Sequence, residues 1–483
     1  MKRQILISAL ILLSVAGFAR AVDLPDLRYY NLSEDDFTAY KQGELLVRFA
    51  DVDAGAQLPE GPVIMGPLTS KAIRNSISNY IFAGSVVDRE YDEIAPGLAV
   101  VSLPEGMSVA DACIQFNQSA NVLYAEPNYK YKLLTIPRDP MFSDLWGFDN
   151  TGQTGGTEDA DVDAPEAWDI QTGNPDIIIA VTDTGIDYAH PDLADNMWVN
   201  SEEMRGSPDV DDDGNGYVDD IYGYDFAGAV ARDPDDEDSD PIDNHFHGTH
   251  VAGIIGAVGN NGVGVTGVCW NVKMMALKVF ADDYNVEPEV FISEAVEAIG
   301  YAVDNGAKII NASWGGNFHS QALYDAIRDA GNAGLLFVAA AGNDYGSDND
   351  VNPVYPASFN LDNIIAVMST DHNDQRSDFS NYGETSVDIA EPGTDILSTS
   401  PTTQNFAMLV FNVSTFYETL SGTSLSAPYA SGACALIWAE YPTLAHGTVK
   451  GILLKTVDPV LTSPRLCLSG GRINLYNALT LIP

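Results

Sequence analysis

Three polar side chains in this sequence are of the types that cooperate in nucleophilic catalysis. Asp183 ends the apolar segment IIIAVTD, His247 begins HGTHVAG, and Ser424 lies within SGTSLSAP. A serine hydroxyl is a weak nucleophile until a base lies within hydrogen-bond reach, and a carboxylate can orient an imidazole to act as that base. We therefore predict Ser424 as nucleophile, His247 as general base and acid, and Asp183 as the orienting carboxylate.

The elements around these residues alternate between strand and helix. Apolar and β-branched runs predict strands at 177–182, 273–279, 307–312, 335–341 and 364–368. Small and apolar residues predict a helix at 251–258, after His247, and another at 430–439, after Ser424. This alternation predicts an α/β fold with a parallel central sheet between two helical layers. Chemistry in such sheets gathers at the carboxyl ends of strands and the amino ends of the following helices, so the three side chains can meet.

The chain order Asp, His, Ser, together with the three motifs, resembles the subtilisin-like serine proteases (the subtilases). The resemblance runs from about Asp139 to the segment GRINLYNAL, at 471–479. It implies the three-layer subtilisin-like fold and hydrolysis of peptide bonds in polypeptide substrates through an acyl-enzyme. It also implies that Asn343, in VAAAGND, offers its side-chain amide to the oxyanion beside the main-chain N–H of Ser424.

Substrate contacts are implied by the same resemblance. ASWGG (312–316) resembles the strand that pairs with the substrate backbone, which predicts substrate contacts at Ser313, Trp314 and Gly315 and a broad specificity. Trp314 would wall an outer apolar subsite. Asp344 would lie beside the pocket for P1, the residue on the acyl side of the cleaved bond, and would favour a basic P1 side chain.

Other functions share some of these residues. His247 and His250 could form a metal pair, but no Cys or Glu completes a zinc set, and the resemblance makes the second His structural. Sedolisin-type acid peptidases share SGTS but lack this His and Asn. A catalytically silent binding protein would lack one member of the set, and none is missing. A narrow-specificity processing protease of the same fold remains the alternative.

The amino-terminal part of the chain predicts export and maturation. Residues 1–21 combine a basic start, a short apolar run and the small-residue site Ala19-Arg20-Ala21, as in a secretory signal peptide. Residues 22–135 resemble an inhibitor-like propeptide of small α+β type, which implies an intramolecular chaperone and inhibitor, and a zymogen. The catalytic domain would then span 136–483. We expect a secreted monomer, extracellular or periplasmic, with no stable membrane anchor.

The composition limits the partners and the metal. Asp and Glu number 69 against 23 Lys and Arg, a formal net charge of −46, so nucleic-acid phosphates would be repelled. Oxygen ligands suit the hard cation Ca²⁺. The loop DVDDDGNGYVDD (209–220) resembles an EF-hand loop in two alternative registers, from Asp209 or from Asp211. Its candidate calcium ligands are Asp209, Asp211, Asp213, Asn215 and Asp220.

A second calcium site is implied by resemblance to calcium-binding subtilases. The matching positions are Asp139, Asp192 and Asn261, with main-chain carbonyls of the loop 259–265 completing the set. Asp225 and the acid-rich segment 233–240 could hold a third ion.

The four cysteines do not make a disulfide scaffold. Cys269 and Cys434 lie beside or within apolar segments, as small core residues do. A bridge between Cys434 and Cys467 stays open.

Overall fold

A computed structural model describes residues 40–50, 70–130, 135–228, 237–282, 289–459 and 465–481. The chain divides into two compact units, 1–133 and 134–483. The predicted signal peptide, 1–21, and much of the acid-rich segment 233–240 lie outside the described residues.

The first unit is a four-stranded antiparallel sheet with two helices. Its strand order is β2-β3-β1-β4, and α1 and α2 contribute Ile77, Ala112 and Phe116 to a core shared with Leu45 and Val47 of β1. The Ser108 hydroxyl caps α2 by accepting from the Asp111 N–H. The elements are β1 (Tyr40–Phe49), α1 (Ser70–Ile81), β2 (Val86–Glu90), β3 (Leu98–Ser102), α2 (Val109–Asn117) and β4 (Val122–Tyr129).

The second unit is built on a seven-stranded parallel sheet of order β11-β10-β9-β8-β5-β7-β6. Its first elements are α3 (Ala164–Trp168), β5 (Gly173–Asp183), β6 (Gly223–Asp225), α4 (His247–Gly256), β7 (Asn271–Lys278), α5 (Ile292–Asp304), β8 (Ile309–Ala312), α6 (Gln321–Asn332) and β9 (Leu336–Ala340). They continue with β10 (Ile364–Thr370), β11 (Ile389–Pro392), β12 (Ile396–Ser400), α7 (Phe406–Phe411), β13 (Phe416–Leu420), α8 (Thr423–Glu440), α9 (His446–Lys455) and α10 (Leu475–Thr480).

Successive residues of the central strands face opposite helical layers, because side chains alternate along a strand. In β5, Ile179 and Val181 enter the core under α4 and α8, whereas Ala180 enters the core under α5 and α6. In β9, Val338 likewise enters the core under α4 and α8, and Phe337 enters the core under α5 and α6. Both faces are therefore apolar, which explains why these strands are near-continuous apolar runs, and the predicted three-layer α/β fold is confirmed.

The five predicted strands are present with small shifts at their ends, but two further parallel strands were missed. β6 has only three residues, and β11 contains Glu391 and Pro392, so neither carries an apolar run. Both predicted helices begin earlier than expected, at His247 and at Thr423. The catalytic-type residues therefore lie in the first turn of each helix rather than before it.

A small hairpin lies outside the central sheet, between β11 and α8. Its strands β12 and β13 pair antiparallel, from Ile396 opposite Leu420 to Ser400 opposite Phe416, and the loop between them contains α7. None of the helices that the structure describes is both long and apolar enough to span a bilayer.

Candidate active site

Asp183 and His247 meet at the carboxyl end of β5. His247 Nδ1 lies 2.7 Å from Asp183 Oδ1, and the Thr184 N–H also donates to that oxygen, at 2.8 Å. The carboxylate side chain is 1% exposed, whereas 27% of the imidazole side chain is exposed. Asp183 is therefore held inside the protein while the imidazole reaches a surface from which it can exchange protons with a bound molecule.

The charge state of His247 reflects two opposing influences. Burial lowers the pKa of the imidazole, but the charge of Asp183 and its hydrogen bond outweigh burial and raise the pKa above its ordinary value. Because Nδ1 bonds the carboxylate, Nε2 is the nitrogen left to accept a proton. This is the arrangement that a general base needs.

Asp243, which the sequence reasoning missed, joins the segments that carry Asp183 and His247. One carboxylate oxygen accepts from the Thr184 hydroxyl at 2.9 Å, and the other accepts from the Thr249 N–H and hydroxyl at 2.9 and 2.6 Å. The Thr184 hydroxyl in turn accepts from the Gly248 N–H at 2.9 Å. Burial raises the pKa of Asp243 to about 6 against these hydrogen bonds. The threonines of DTG and HGTH were the only sequence signal for this network.

Ser424 lies in the first turn of α8, and its main chain is tied to Ser313. The Ser424 hydroxyl donates to the Ser313 carbonyl at 3.0 Å, and the Ser313 hydroxyl donates to the Ser424 carbonyl at 2.7 Å. Pro428 stands four residues after Ser424 inside the helix and has no N–H to bond that carbonyl. The Ser313 hydroxyl therefore replaces the missing helical hydrogen bond and holds the first turn of α8 against the end of β8.

Asn343 is oriented by the residue that precedes Ser424. Its Oδ1 accepts from both the N–H and the hydroxyl of Thr423, each at 2.9 Å. The Nδ2 end faces Gly422, where an added Cβ would lie 3.6 Å from it. The Ser424 N–H belongs to the first helical turn, whose donors have no partner within the helix. Asn343 Nδ2 and the Ser424 N–H are therefore the two candidate donors to an oxyanion at the amino end of α8.

A pocket of about 250 Å³ opens beside Ser424. It brings together all the residues predicted to bind substrate: Ser313, Trp314, Gly315 and Asp344. Trp314 is 9% exposed and its indole N–H donates to the Thr182 carbonyl at 2.9 Å, so the ring chiefly anchors the end of β8 in the core. The Asp344 carboxylate accepts from the Asn381 amide at 2.9 Å and is exposed at the pocket.

The three residues of the resemblance-derived calcium set are close together. Asn261 Nδ2 donates to Asp192 Oδ1 at 2.8 Å, and Asp139 accepts from the N–H groups of Asn260 and Gly262 in the same loop. Burial raises the pKa of Asp192 to about 6, and the nearby charge of Asp139 adds to the rise. Two buried carboxylates from separate segments that bond the same loop, 259–265, fit a hard cation.

The loop 209–220 gathers its carboxylates differently from either predicted register. Oxygens of Glu203, Asp213 and Asp220 lie within 4.8 Å of one another. Asn215 joins this group by donating its amide to Asp213 and Asp220, at 3.1 and 2.8 Å. Asp211 instead accepts from main-chain N–H groups of the loop, including Gly214 at 2.7 Å.

Asp209 also lies outside that group of three carboxylates, and its role as a calcium ligand stays a prediction. It is exposed and has a left-handed backbone, with φ of 63°. Glu203 was missed because it precedes the loop in sequence, on a separate helical turn. Asp225, the proposed member of a third site, forms an ion pair with the buried Lys278 at 3.1 Å.

Other polar candidates have structural partners. His250 is buried and its Nε2 lies 3.0 Å from the Glu418 carbonyl, so it does not pair with His247 on a metal. All four cysteines are buried and free, so the Cys434–Cys467 bridge is not formed.

Comparisons with known proteins agree with this geometry. Residues 174–470 match the subtilase family. The chain is 32% identical to the thermophilic serine proteinase of Bacillus sp. (strain AK1), over 92% of this chain and 88% of the relative. It is 33% identical to thermitase of Thermoactinomyces vulgaris, over 71% of this chain and 98% of thermitase. A solved protease of Pseudoalteromonas arctica PAMC 21717 matches with a TM-score of 0.57 and 29% identity, over 72% of this chain and 99% of that one.

The chain belongs to the subtilase family. It is a serine-type endopeptidase, and its substrates are polypeptides. The resemblance stated from the three motifs is thereby confirmed.

Proposed function

We propose that the protein is a secreted, calcium-stabilised endopeptidase, made as a zymogen, in which Ser424, His247 and Asp183 form the catalytic triad. The observation that carries this proposal is the 2.7 Å contact between His247 Nδ1 and Asp183 Oδ1, with Ser424 at the mouth of a pocket. A buried carboxylate on one side of the imidazole supports acyl transfer, as does a partly exposed serine in the first turn of α8, which packs against the helix that begins at His247.

The proposed reaction proceeds in two halves. The Ser424 hydroxyl leaves its hydrogen bond to Ser313, attacks the carbonyl carbon and passes its proton to His247 Nε2. Asn343 Nδ2 and the Ser424 N–H hold the resulting oxyanion. The C–N bond then breaks as His247 returns the proton to the leaving amine. Water repeats the sequence on the acyl-enzyme and releases the carboxylic acid and free Ser424.

Replacing Asn343 tests the oxyanion assignment. We expect Asn343→Ala to lower kcat about two to three orders of magnitude with KM little changed, the loss observed for the equivalent amide in subtilisin. The reason is that this hydrogen bond forms mainly in the transition state. Steady-state kinetics on one peptide substrate measure both constants. A variant that loses substrate binding but keeps its turnover would make Asn343 a subsite residue instead.

The pocket supports a broad endopeptidase with some preference at P1. Main-chain groups of 313–315 pair with a substrate backbone without reading its sequence, and the exposed Asp344 carboxylate favours Lys or Arg at P1. Profiling the purified mature enzyme against a peptide library tests both points. Cleavage confined to one extended sequence would favour the alternative, a narrow-specificity processing protease of the same fold.

Export and maturation rest on the amino-terminal segments. The leader-like residues 1–21 support secretion, extracellular or periplasmic. The first unit, with its own sheet and core, supports the assignment of 22–135 as a folded propeptide that acts as chaperone and inhibitor. Removal of this segment by the protein's own active site would release the mature enzyme, 136–483, which we propose is a monomer.

Calcium would be held at two places. Asp139, Asp192 and Asn261 would form one site, and Glu203, Asp213 and Asp220, with Asn215, would form the other. Three carboxylates within 4.8 Å repel one another, and a divalent cation relieves that repulsion. The ion would stabilise the fold and takes no part in the proposed reaction.

Removing calcium should destabilise the protein. Because the ion would bind the folded form preferentially, the free energy of unfolding should rise by RT ln(1 + [Ca²⁺]/Kd), about 2.7 kcal/mol at a hundredfold excess over Kd. We expect EDTA to lower the Tm of the Ser424→Ala protein, which cannot digest itself, and millimolar calcium to restore it. Sodium chloride should restore only the part due to surface charge repulsion.

A matched pair of variants tests the site that includes Asp213. Asp213→Asn should reduce the calcium-dependent gain in Tm, whereas Asp209→Asn, in the same loop but outside the carboxylate group, should retain it. Equal Tm values with EDTA, with EDTA plus sodium chloride and with calcium would remove calcium from the account.

A further inference from the structure

The short helix α7 exposes an apolar surface that the proposed catalytic machinery does not use. Leu409, Val410 and Phe411 are 68%, 61% and 58% exposed. Large exposed apolar side chains grouped together on a soluble protein typically mark a place where something binds. The chain as a whole has a formal net charge of −46, whereas Leu409, Val410 and Phe411 are uncharged and apolar.

The buried side of α7 is joined to the segments that lead into both catalytic residues. Ala407 and Met408 pack with Phe246, the residue before His247, and Leu420 of β13 packs against the same cluster. The Phe411 ring meets the rings of His245 and Phe246 edge-on, with centroids 5.8 and 5.7 Å away. The exposed patch is therefore continuous with the residues that directly precede His247 and helix α4.

Proton transfer shows which half of a substrate would meet this patch. The acyl half lies toward Ser313–Gly315 and the pocket, which α7 does not line. His247 must protonate the leaving nitrogen, so the leaving half of the peptide has to extend from Ser424 past His247. His245 and Phe246, which directly precede His247 in the chain, are the residues that pack against α7.

We propose that α7 is a docking surface for apolar side chains of the substrate on the leaving-group side of the cleaved bond, with Leu409, Val410 and Phe411 as the contact residues. This inference rests on the proposed function, since it requires that His247 protonates the leaving amine. The occupant is substrate polypeptide because the patch adjoins the residues that directly precede His247 and presents apolar rather than charged groups.

Three substrates with one shared acyl half test the proposal on mature wild-type enzyme. The first carries Leu and Phe after the cleaved bond, the second carries Ser and Gln there, and the third is a p-nitroanilide with no residues on that side. We expect the apolar peptide to exceed the polar one in kcat/KM by roughly tenfold, as expected for burial of one or two apolar side chains. In the double variant Leu409→Asp/Val410→Asp, the ratio of kcat/KM for the apolar peptide to kcat/KM for the polar peptide should fall to within about twofold.

Tyr476→Asp is the matched control, because Tyr476 is 42% exposed and lies far from Ser424. Its helix α10 accepts a hydrogen bond from Tyr441, which follows the end of α8 about 25 Å along the helix from Ser424. Retention of the tenfold preference in this variant supports the proposal.

Two results on the peptides would overturn the proposal: no preference of the wild type for the apolar peptide, or an undiminished preference in the α7 variant. The same loss of preference in Tyr476→Asp would also overturn it. So would a fall in kcat/KM of the α7 variant that is equal for the anilide and for the peptides. The last would mean that α7 supports the residues that directly precede His247. A wild-type dimer that the α7 variant dissociates with its preference unchanged would assign the patch to a second copy of the chain. Wild-type enzyme inactive on all three substrates would instead refute the proposed function, and this inference with it.

Discussion

Ser424→Ala should abolish peptide hydrolysis and leave the precursor uncleaved near residues 131–137. The effects of substituting residues that act together in catalysis are strongly non-additive, and removal of the nucleophile alone lowers kcat by about 10⁶. The fold should survive, because the hydroxyl makes its hydrogen bond to the Ser313 carbonyl at a partly exposed position. Peptidase assays and mass spectrometry of the purified precursor check both expectations.

The matched control is Ser421→Ala, in the same motif. The Ser421 hydroxyl accepts from the Asp395 N–H at 2.8 Å and is not part of the proposed triad, so this variant should mature and remain active. A Ser424→Ala protein that still cleaves its own propeptide in cis would contradict the assignment of Ser424 as nucleophile.

Asp183→Asn should lower kcat by about four orders of magnitude. If the amide oxygen stays on His247 Nδ1, the buried NH₂ group takes the place of Oδ2, which has no hydrogen-bond partner among the described residues, and the charge that stabilises the imidazolium is lost. If the amide turns, its NH₂ faces Nδ1 and forces the proton onto Nε2, which then cannot accept from Ser424. The first orientation thus leaves the imidazolium without its stabilising charge, and the second leaves Nε2 unable to act as general base.

The pH profile adds a readout that a merely structural role would not change. Activity needs neutral His247, so it is lost as the pH falls through the imidazole pKa. In the wild type the charge of Asp183 outweighs burial and raises that pKa. Asp183→Asn removes the raising influence, so the acid limb of its residual activity should move to lower pH. Asp187→Asn, whose carboxylate bonds Thr402 rather than His247, should keep the wild-type limb. If the acid limb of the pH–activity profile were unshifted in Asp183→Asn, that result would contradict the pairing of Asp183 with His247.

The parts of the structure that were predictable depend on local chemical pattern. The central strands are apolar on both faces, so β5 and β9 stand out as continuous apolar runs that end beside functional residues. The site was predictable from the motifs around Asp183, His247 and Ser424. In each motif the catalytic-type residue lies next to small residues, which let neighbouring segments of the chain pack closely. At Gly248, for example, an added Cβ would lie 2.1 Å from the Gly185 carbonyl oxygen.

The features that were missed depend on contacts between distant segments. Asp243 acquires its role only when the threonines after Asp183 and His247 converge on it. Glu203 joins Asp213 and Asp220 through chain folding, not through the spacing of an EF-hand-like loop. The apolar segment of α7 could equally have been a buried core helix, and only its exposure distinguishes the two.

Active-site labelling tests the central claim most directly. The mature wild-type enzyme would be treated with a peptidyl phosphonate or a sulfonyl fluoride, digested, and mapped by mass spectrometry. We expect a single modified residue, Ser424, labelled in proportion to the loss of peptidase activity and protected by a competing peptide substrate. Full peptidase activity with no label on Ser424, or inactivation through another residue, would contradict it.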